Sequence, residues 1–204
     1  MRRSLLVFAL LVQACDRPAP PASQPAGLLS EKVRPPLGIL RLARTSASAA
    51  DLLKNPKATS GLPSLAFRVD YAGPKTRLEI SYEGWHQGQE LGGAEGRRTI
   101  HAPVSEDAAF GFSDGKSGKE VSVLTVEDSG LSTQEFNIPS IRGRAFRTYE
   151  PSWPLEIPDG KDAVIWAVFV DEPGDAPAGA SLEERAKRAK TAWLFRIRTA
   201  DEKK

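Results

Sequence analysis

The stretch "LAFRVDYAGPKTRLEISYEG", residues 65–84, holds two alternating runs on either side of Gly73 and Pro74. In the first, Leu65, Phe67, Val69 and Tyr71 alternate with residues that include Arg68 and Asp70. In the second, Leu78, Ile80 and Tyr82 alternate with Arg77, Glu79, Ser81 and Glu83. Successive side chains of a strand point to opposite faces, so each run predicts a strand that is apolar on one face and polar on the other. The Gly-Pro pair between them predicts a tight hairpin.

The same period continues outward. Strands are predicted near 38–44, 98–102 and 119–127, and more weakly over 133–138 and 144–150. "AVIWAVFV", 163–170, is apolar throughout and predicts a central strand covered on both faces. "AWLFRIRT", 192–199, alternates Trp193, Phe195 and Ile197 with Arg196 and Arg198. Between these two, "SLEERAKRAK", 181–190, opens with Ser181 and Glu184 at capping-box spacing and predicts a short surface helix. A helical turn is predicted over 48–55, ended by Pro56. Many short strands separated by turn dipeptides predict an all-β fold, an immunoglobulin-like antiparallel β-sandwich with one short surface helix near the C-terminus.

The chain has 204 residues, 40% hydrophobic and 26% charged, enough for one ordinary domain with a core. Without Arg2 and Arg3, 26 basic residues face 26 acidic ones, so no global charge favours nucleic acid. One cysteine, Cys15, excludes an internal disulfide, and two histidines leave little for a histidine-rich metal site.

Met1-Arg2-Arg3 is a positive start, residues 5–12 are apolar, and Ala14 is a small residue ahead of Cys15. This is the layout of a secretory signal, too short to span a bilayer. "LVQAC", 11–15, resembles the lipobox of bacterial lipoproteins. The resemblance implies that Cys15 receives a diacylglycerol and that the signal is cut after Ala14. It covers the first fifteen residues and implies nothing about the domain behind them. Asp16 resembles the inner-membrane retention signal of enteric-type bacteria. Pro18, Pro20, Pro21 and Pro25 follow, and predict a semi-extended tether. The expected organisation is a signal peptide at 1–14, a lipidated cysteine and tether at 15–36, a sandwich domain at 37–200 and a charged tail at 201–204.

Candidate chemistry is sparse. "GWHQGQELGG", 84–93, is read as a long glycine-rich hairpin loop, with His86 and Glu90 four apart. Metal ligation there needs more donors, and His101 is the other imidazole. No serine stands in a Gly-x-Ser-x-Gly elbow, and "DGKSG", 114–118, lacks the spacing of a phosphate loop and reads as a turn. Arg142, Arg144 and Arg147 are read as guarding a strand edge rather than as an anion stripe. Trp166 and Trp193 are assigned to the core. Trp85 and Trp153 are expected nearer solvent and form, with His86, a candidate binding surface.

The expectation is a membrane-anchored envelope lipoprotein, a non-catalytic interaction or accessory module held by its N-terminal lipid. Its partner would be an envelope protein or glycan, with no nucleic acid, no cofactor, no metal and no catalytic residues. A carbohydrate-binding sandwich using exposed aromatics is the alternative, and an envelope hydrolase the third reading.

Overall fold

The computed structural model describes residues 36–54, 60–100, 102–114, 121–127, 130–174, 177 and 179–201. The predicted signal, Cys15, the tether up to Pro35, His101 and the tail beyond Asp201 lie outside the described residues. Among the described residues the fold is mostly β, with eleven strands in two sheets. Strands β1 (Ile39–Arg44), β2 (Ser64–Tyr71), β5 (Val104–Asp114), β6 (Val121–Glu127), β7 (Gly130–Phe136) and β9 (Leu155–Pro158) form the first sheet, in the order β7-β6-β5-β2-β1-β9. Strands β3 (Arg77–His86), β4 (Gln89–Thr99), β8 (Phe146–Tyr149), β10 (Asp162–Val170) and β11 (Thr191–Ala200) form the second, in the order β4-β3-β11-β10-β8. Every pairing is antiparallel. The short helices α1 (Ala49–Leu52) and α2 (Leu182–Arg188) lie against them.

The alternation read in β2 and β3 sets the core. Phe67, Val69 and Tyr71 from the first sheet meet Leu78, Ile80 and Tyr82 from the second in one buried cluster. Aromatic rings cross the interface: Phe110 lies 4.8 Å from Phe195, and Phe112 lies 4.7 Å from Trp193, centroid to centroid. Pairs at such spacing add about 0.5–1.5 kcal/mol beyond the burial of their area. Trp166 and Trp193 are both fully buried, as read from their strands.

The hairpin expected across Gly73-Pro74 does not form. β2 pairs with β1 and β5, whereas β3 pairs with β4 and β11, so the chain crosses from one sheet to the other between Tyr71 and Arg77. The cause is local. The Tyr71 hydroxyl accepts from the Lys75 backbone amide at 2.9 Å and donates to Asp159 Oδ1 at 2.8 Å. The chain therefore wraps around the phenol, and a Cβ at position 73 would fall inside that ring, which leaves glycine as the residue that fits. Two amphipathic strands can bury their apolar sides against each other only from opposite layers, and the arch delivers them there.

Other departures concern strands that the period hides. β5 and β9 were not foreseen, because "VSEDAAFGFSD" is small and acidic at its start and "LEIP" is short. The expected glycine-rich loop is instead a hairpin of two long strands, closed by Gln87 and Gly88 at φ 53° and 79°. Two positive φ values mark a turn whose twist matches its strands. The strand expected over 98–102 overlaps the far end of β4, which continues to Thr99.

The capping box of α2 forms as read, with the Glu184 amide donating to Ser181 Oγ at 3.1 Å and the Ser181 amide to Glu184 Oε2 at 2.8 Å. α1 begins at an N-cap on Ser48. In the immunoglobulin layout, seven strands form ABED and CFG sheets. Here there are six and five strands, and the last strand, β11, lies beside β3 with β10 outside it.

Burial, opposed by the Lys75 amide and reinforced by Asp159, pushes the Tyr71 phenol from 10.0 up to about 12. A raised phenol favours the neutral folded state, so its contribution is complete below about pH 10 and is lost as pH rises through about 12. Tyr71→Phe is expected to cost roughly 1–3 kcal/mol in urea denaturation, by removing one of the donors to Asp159 and the acceptor of the Lys75 amide. It is also expected to flatten the loss of stability between pH 10 and 12 relative to the parent.

Candidate functional site

The second sheet turns one face to the core and the other outward. On the outward face stand Glu79, Ser81, Glu83 and Trp85 of β3, and Ala192, Leu194, Arg196 and Arg198 of β11. These positions alternate with the core residues Leu78, Ile80, Tyr82, Trp193, Phe195 and Ile197. Helix α2 divides this face into an apolar half and a charged half.

Under the helix, Trp85, Ala167, Phe169, Ala192 and Leu194 pack against Ala186 and Ala189, with Leu182 at the border. Small residues let α2 sit close to the indole. The helix is held from the side by Arg185, which forks onto Glu172 at 2.6 and 2.8 Å and lies 4.4 Å over the Phe169 ring. The Glu172 side chain is 1% exposed, and its hydrogen bonds raise the pKa of the arginine further. Such a bidentate pair is among the stronger polar contacts available to a protein.

Beyond the N-terminus of α2 the face opens into a charged groove of about 510 Å³. Its walls are Glu79, Ser81 and Glu83 of β3, Gly93 of β4, Asp162 of β10, and Arg196 and Arg198 of β11. Arg196 reaches Glu183 of α2 at 2.5 Å, Asp162 at 3.3 Å and Glu83 at 3.9 Å. Arg198 binds Glu79 at 2.6 Å, and Glu79 is only 4% exposed. A hydrogen bond from its own backbone amide, with Arg196 and Ser181 adding and burial opposing, holds the Glu183 carboxyl below the usual range. The groove therefore presents acidic and basic side chains held in place by their mutual contacts. A second hollow, about 440 Å³, lies outside α2 and is walled by residues 177–188 alone, so no strand contributes to it.

The structure does not bring the predicted site residues together. Trp85 is 6% exposed, which corrects the expectation that it stands near solvent. It falls on the outward face, and that part of the face is roofed by α2. His86, half-buried, places Nδ1 2.9 Å from Thr191 Oγ1, across the β3–β11 pairing. Trp153 is half-buried in the main core cluster, stacked on Phe67 at 6.5 Å. Its indole donates to Glu150 at 3.3 Å, and Arg44 lies 5.7 Å over its ring.

The arginines of 142–147 are each engaged. Arg142 binds Asp114 at 2.5 Å, Arg144 binds Asp171, and Arg147, on the edge strand β8, reaches Glu172 at 3.8 Å. Among the described residues no three His, Cys, Asp or Glu side chains are grouped to hold a metal, and no helix is long and apolar enough to cross a membrane.

Sequence reasoning missed the groove. Arg196, Arg198, Glu79 and Glu83 were all read as the polar faces of strands. Which strands lie side by side is not in the alternation, so nothing in it places Arg198 beside Glu79. Compared with protein-family models, with curated proteins and with solved structures, the chain matches none.

Removing the Trp85 ring tests the roofed half. Trp85→Ala is expected to cost about 3–5 kcal/mol in urea denaturation, as for a buried indole. A loss below about 1 kcal/mol would place the ring in solvent instead.

Proposed function

We propose that this chain is a lipid-anchored protein of the bacterial cell envelope that acts by binding rather than by catalysis. The anchor is Cys15, and Asp16 favours the inner membrane. Two or more acyl chains on one cysteine suffice for stable membrane attachment. The Pro-rich tether sets the sandwich off from the lipid surface. The partner is an envelope protein, and the groove over β3, β10 and β11 is its contact surface.

The observation that carries the binding reading is the ion-pair geometry of the groove. Arg196 gathers three carboxylates, and Arg198 takes a fourth. Acidic and basic groups fixed in mutual geometry favour recognition and steering of a charged partner. The immunoglobulin-like character of the sandwich rests on the passage β2–β3–β4–β5. There the chain leaves one sheet, forms a hairpin in the other and returns beside the strand it left. The order of β10 and β11 is the chain's own.

Labelling with a fatty acid in a bacterial host tests the anchor. The parent is expected to take up label and sediment with membranes, and Cys15→Ala to lose both properties. Equal labelling of the two contradicts the anchor. Capture from the envelope tests the groove: Glu83→Arg and Asp162→Arg are each expected to reduce recovery of the parent's partner by about tenfold, the effect of about 1.4 kcal/mol. Unchanged recovery contradicts the groove as the contact surface.

A further inference from the structure

Phe146 of β8, Val170 of β10, Thr191 of β11, and His86 and Gln89 of the β3–β4 hairpin fall in one row, at one end of the second sheet. The C-terminus of α2 reaches the same end. There the Gln87 amide donates to the Lys190 carbonyl at 2.8 Å, and a Cβ at Gly88 would lie 3.3 Å from the Lys187 carbonyl oxygen. Cations collect at this end. Lys187, Arg188 and Lys190 are exposed, and no ion pair ties them to another described residue. The Arg147 side chain is 57% exposed and reaches Glu172 only at 3.8 Å, a carboxylate already forked by Arg185. Asp171 is held by Arg144. These four cations therefore stand against two exposed acids, Glu90 of the hairpin and Glu184, which closes the capping box.

An apolar ring joins them. Among the described residues Phe146, 42% exposed, and Leu37 are the large hydrophobic side chains left open, and Phe146 is the one at the basic end. Basic side chains around an open aromatic ring suit a lipid surface. Its phosphates take the cations, and the ring enters the boundary between headgroups and acyl chains. Each cation beside an anionic surface favours contact by about fivefold. A few cations cannot hold a free domain at a membrane, but they can orient one that an anchor already keeps nearby.

We propose that this end of the second sheet, with Arg147, Lys187, Arg188, Lys190 and Phe146, rests on anionic lipid headgroups. The inference builds on the lipid anchor proposed above: the tether limits how far the sandwich stands from the membrane, and the basic end decides which way it faces. The chain enters the sandwich at the opposite end, where the Gly38 carbonyl accepts from Asp159 and the Gly160 amide donates to Thr199. The length between permits the contact. Residues 15–36 can span up to about 70 Å, and the two ends lie about 25–30 Å apart along β11. Arg196 and Arg198 stand about 20–26 Å beyond Lys190 on that strand. The charged groove is then carried away from the lipid, toward a partner in the envelope.

Fluorescence quenching on the full lipidated chain in vesicles tests it. An acylated Cys15 has no free thiol, so Gln89→Cys and Lys161→Cys each accept a single dye, one at the basic end and one at the other. Both positions are exposed. With a quencher on the headgroups of vesicles rich in phosphatidylglycerol, the dye at 89 is expected to be quenched and the dye at 161 not. Phosphatidylcholine alone, or high salt, is expected to abolish the difference. Lys187→Glu with Lys190→Glu is expected to lower the docked population by about tenfold or more. Phe146→Ser, which leaves every charge in place, is expected to reduce quenching at 89 as well. Equal quenching at 89 and 161 on the anionic vesicles overturns the orientation and leaves the anchor standing. So does quenching at 89 that is indifferent to phosphatidylglycerol or survives the double reversal. A parent that joins vesicles of neither kind overturns the anchor, and the orientation with it.

Discussion

The phenol of Tyr71 is the pivot of the fold. Its hydroxyl takes one hydrogen bond from the chain that follows it and gives one to Asp159, in the turn between β9 and β10. Asp159 also accepts from Thr199 near the end of β11 at 2.9 Å, and its amide donates to Gly38 at the start of β1 at 2.9 Å. Tyr71 and Asp159 together thus gather the start of β1, the crossing between sheets and the end of the last strand. Because the crossing sends β3 into the second layer, β4 follows it there. β5 then returns beside β2 and completes the inner wall with Phe110 and Phe112.

The second sheet solves two problems with one strand. β10 is apolar on both faces because both are covered. Trp166, Val168 and Val170 enter the main core, while Ala167 and Phe169 face α2. The helix covers as much of the outward face as is apolar, and at its first turn Glu183 crosses to Arg196. The border between the roofed patch and the charged groove is therefore the N-terminus of α2. The partner surface proposed for this protein exists because the helix stops there.

What could be read in the amino-acid order follows from the range of each signal. Period-two alternation is local, and it located β1, β2, β3 and β11, while an unbroken apolar run located β10. The Ser181–Glu184 spacing is local too, and it located α2. Pairing between strands is not local. Gly73-Pro74 is as compatible with an arch as with a hairpin, and the choice falls to Tyr71 reaching Asp159, 88 residues away. Trp85 among glycines and polar neighbours suggested exposure, yet its burial depends on a helix about a hundred residues later. The groove was invisible for the same reason, since Arg198 meets Glu79 only through the β3–β11 register. β5 was missed because Ser105, Glu106, Asp107 and Ala108 mask its apolar end, where Phe110 and Phe112 are fully buried.

The account therefore stands or falls on the crossing. If β2 and β3 were a hairpin, the two core walls would lie in one sheet, β11 would lose its place beside β3, and the groove would not assemble. Proton–proton contacts between backbone α positions, measured by nuclear magnetic resonance on the folded chain, decide this directly. The account predicts cross-strand contacts linking Leu42 with Val69 and Val69 with Glu106, and others linking Ile80 with Gly96 and Ile197, for those pairs of each ladder whose α protons face one another. Contacts pairing residues 65–71 with 77–84 across Gly73-Pro74 would contradict it.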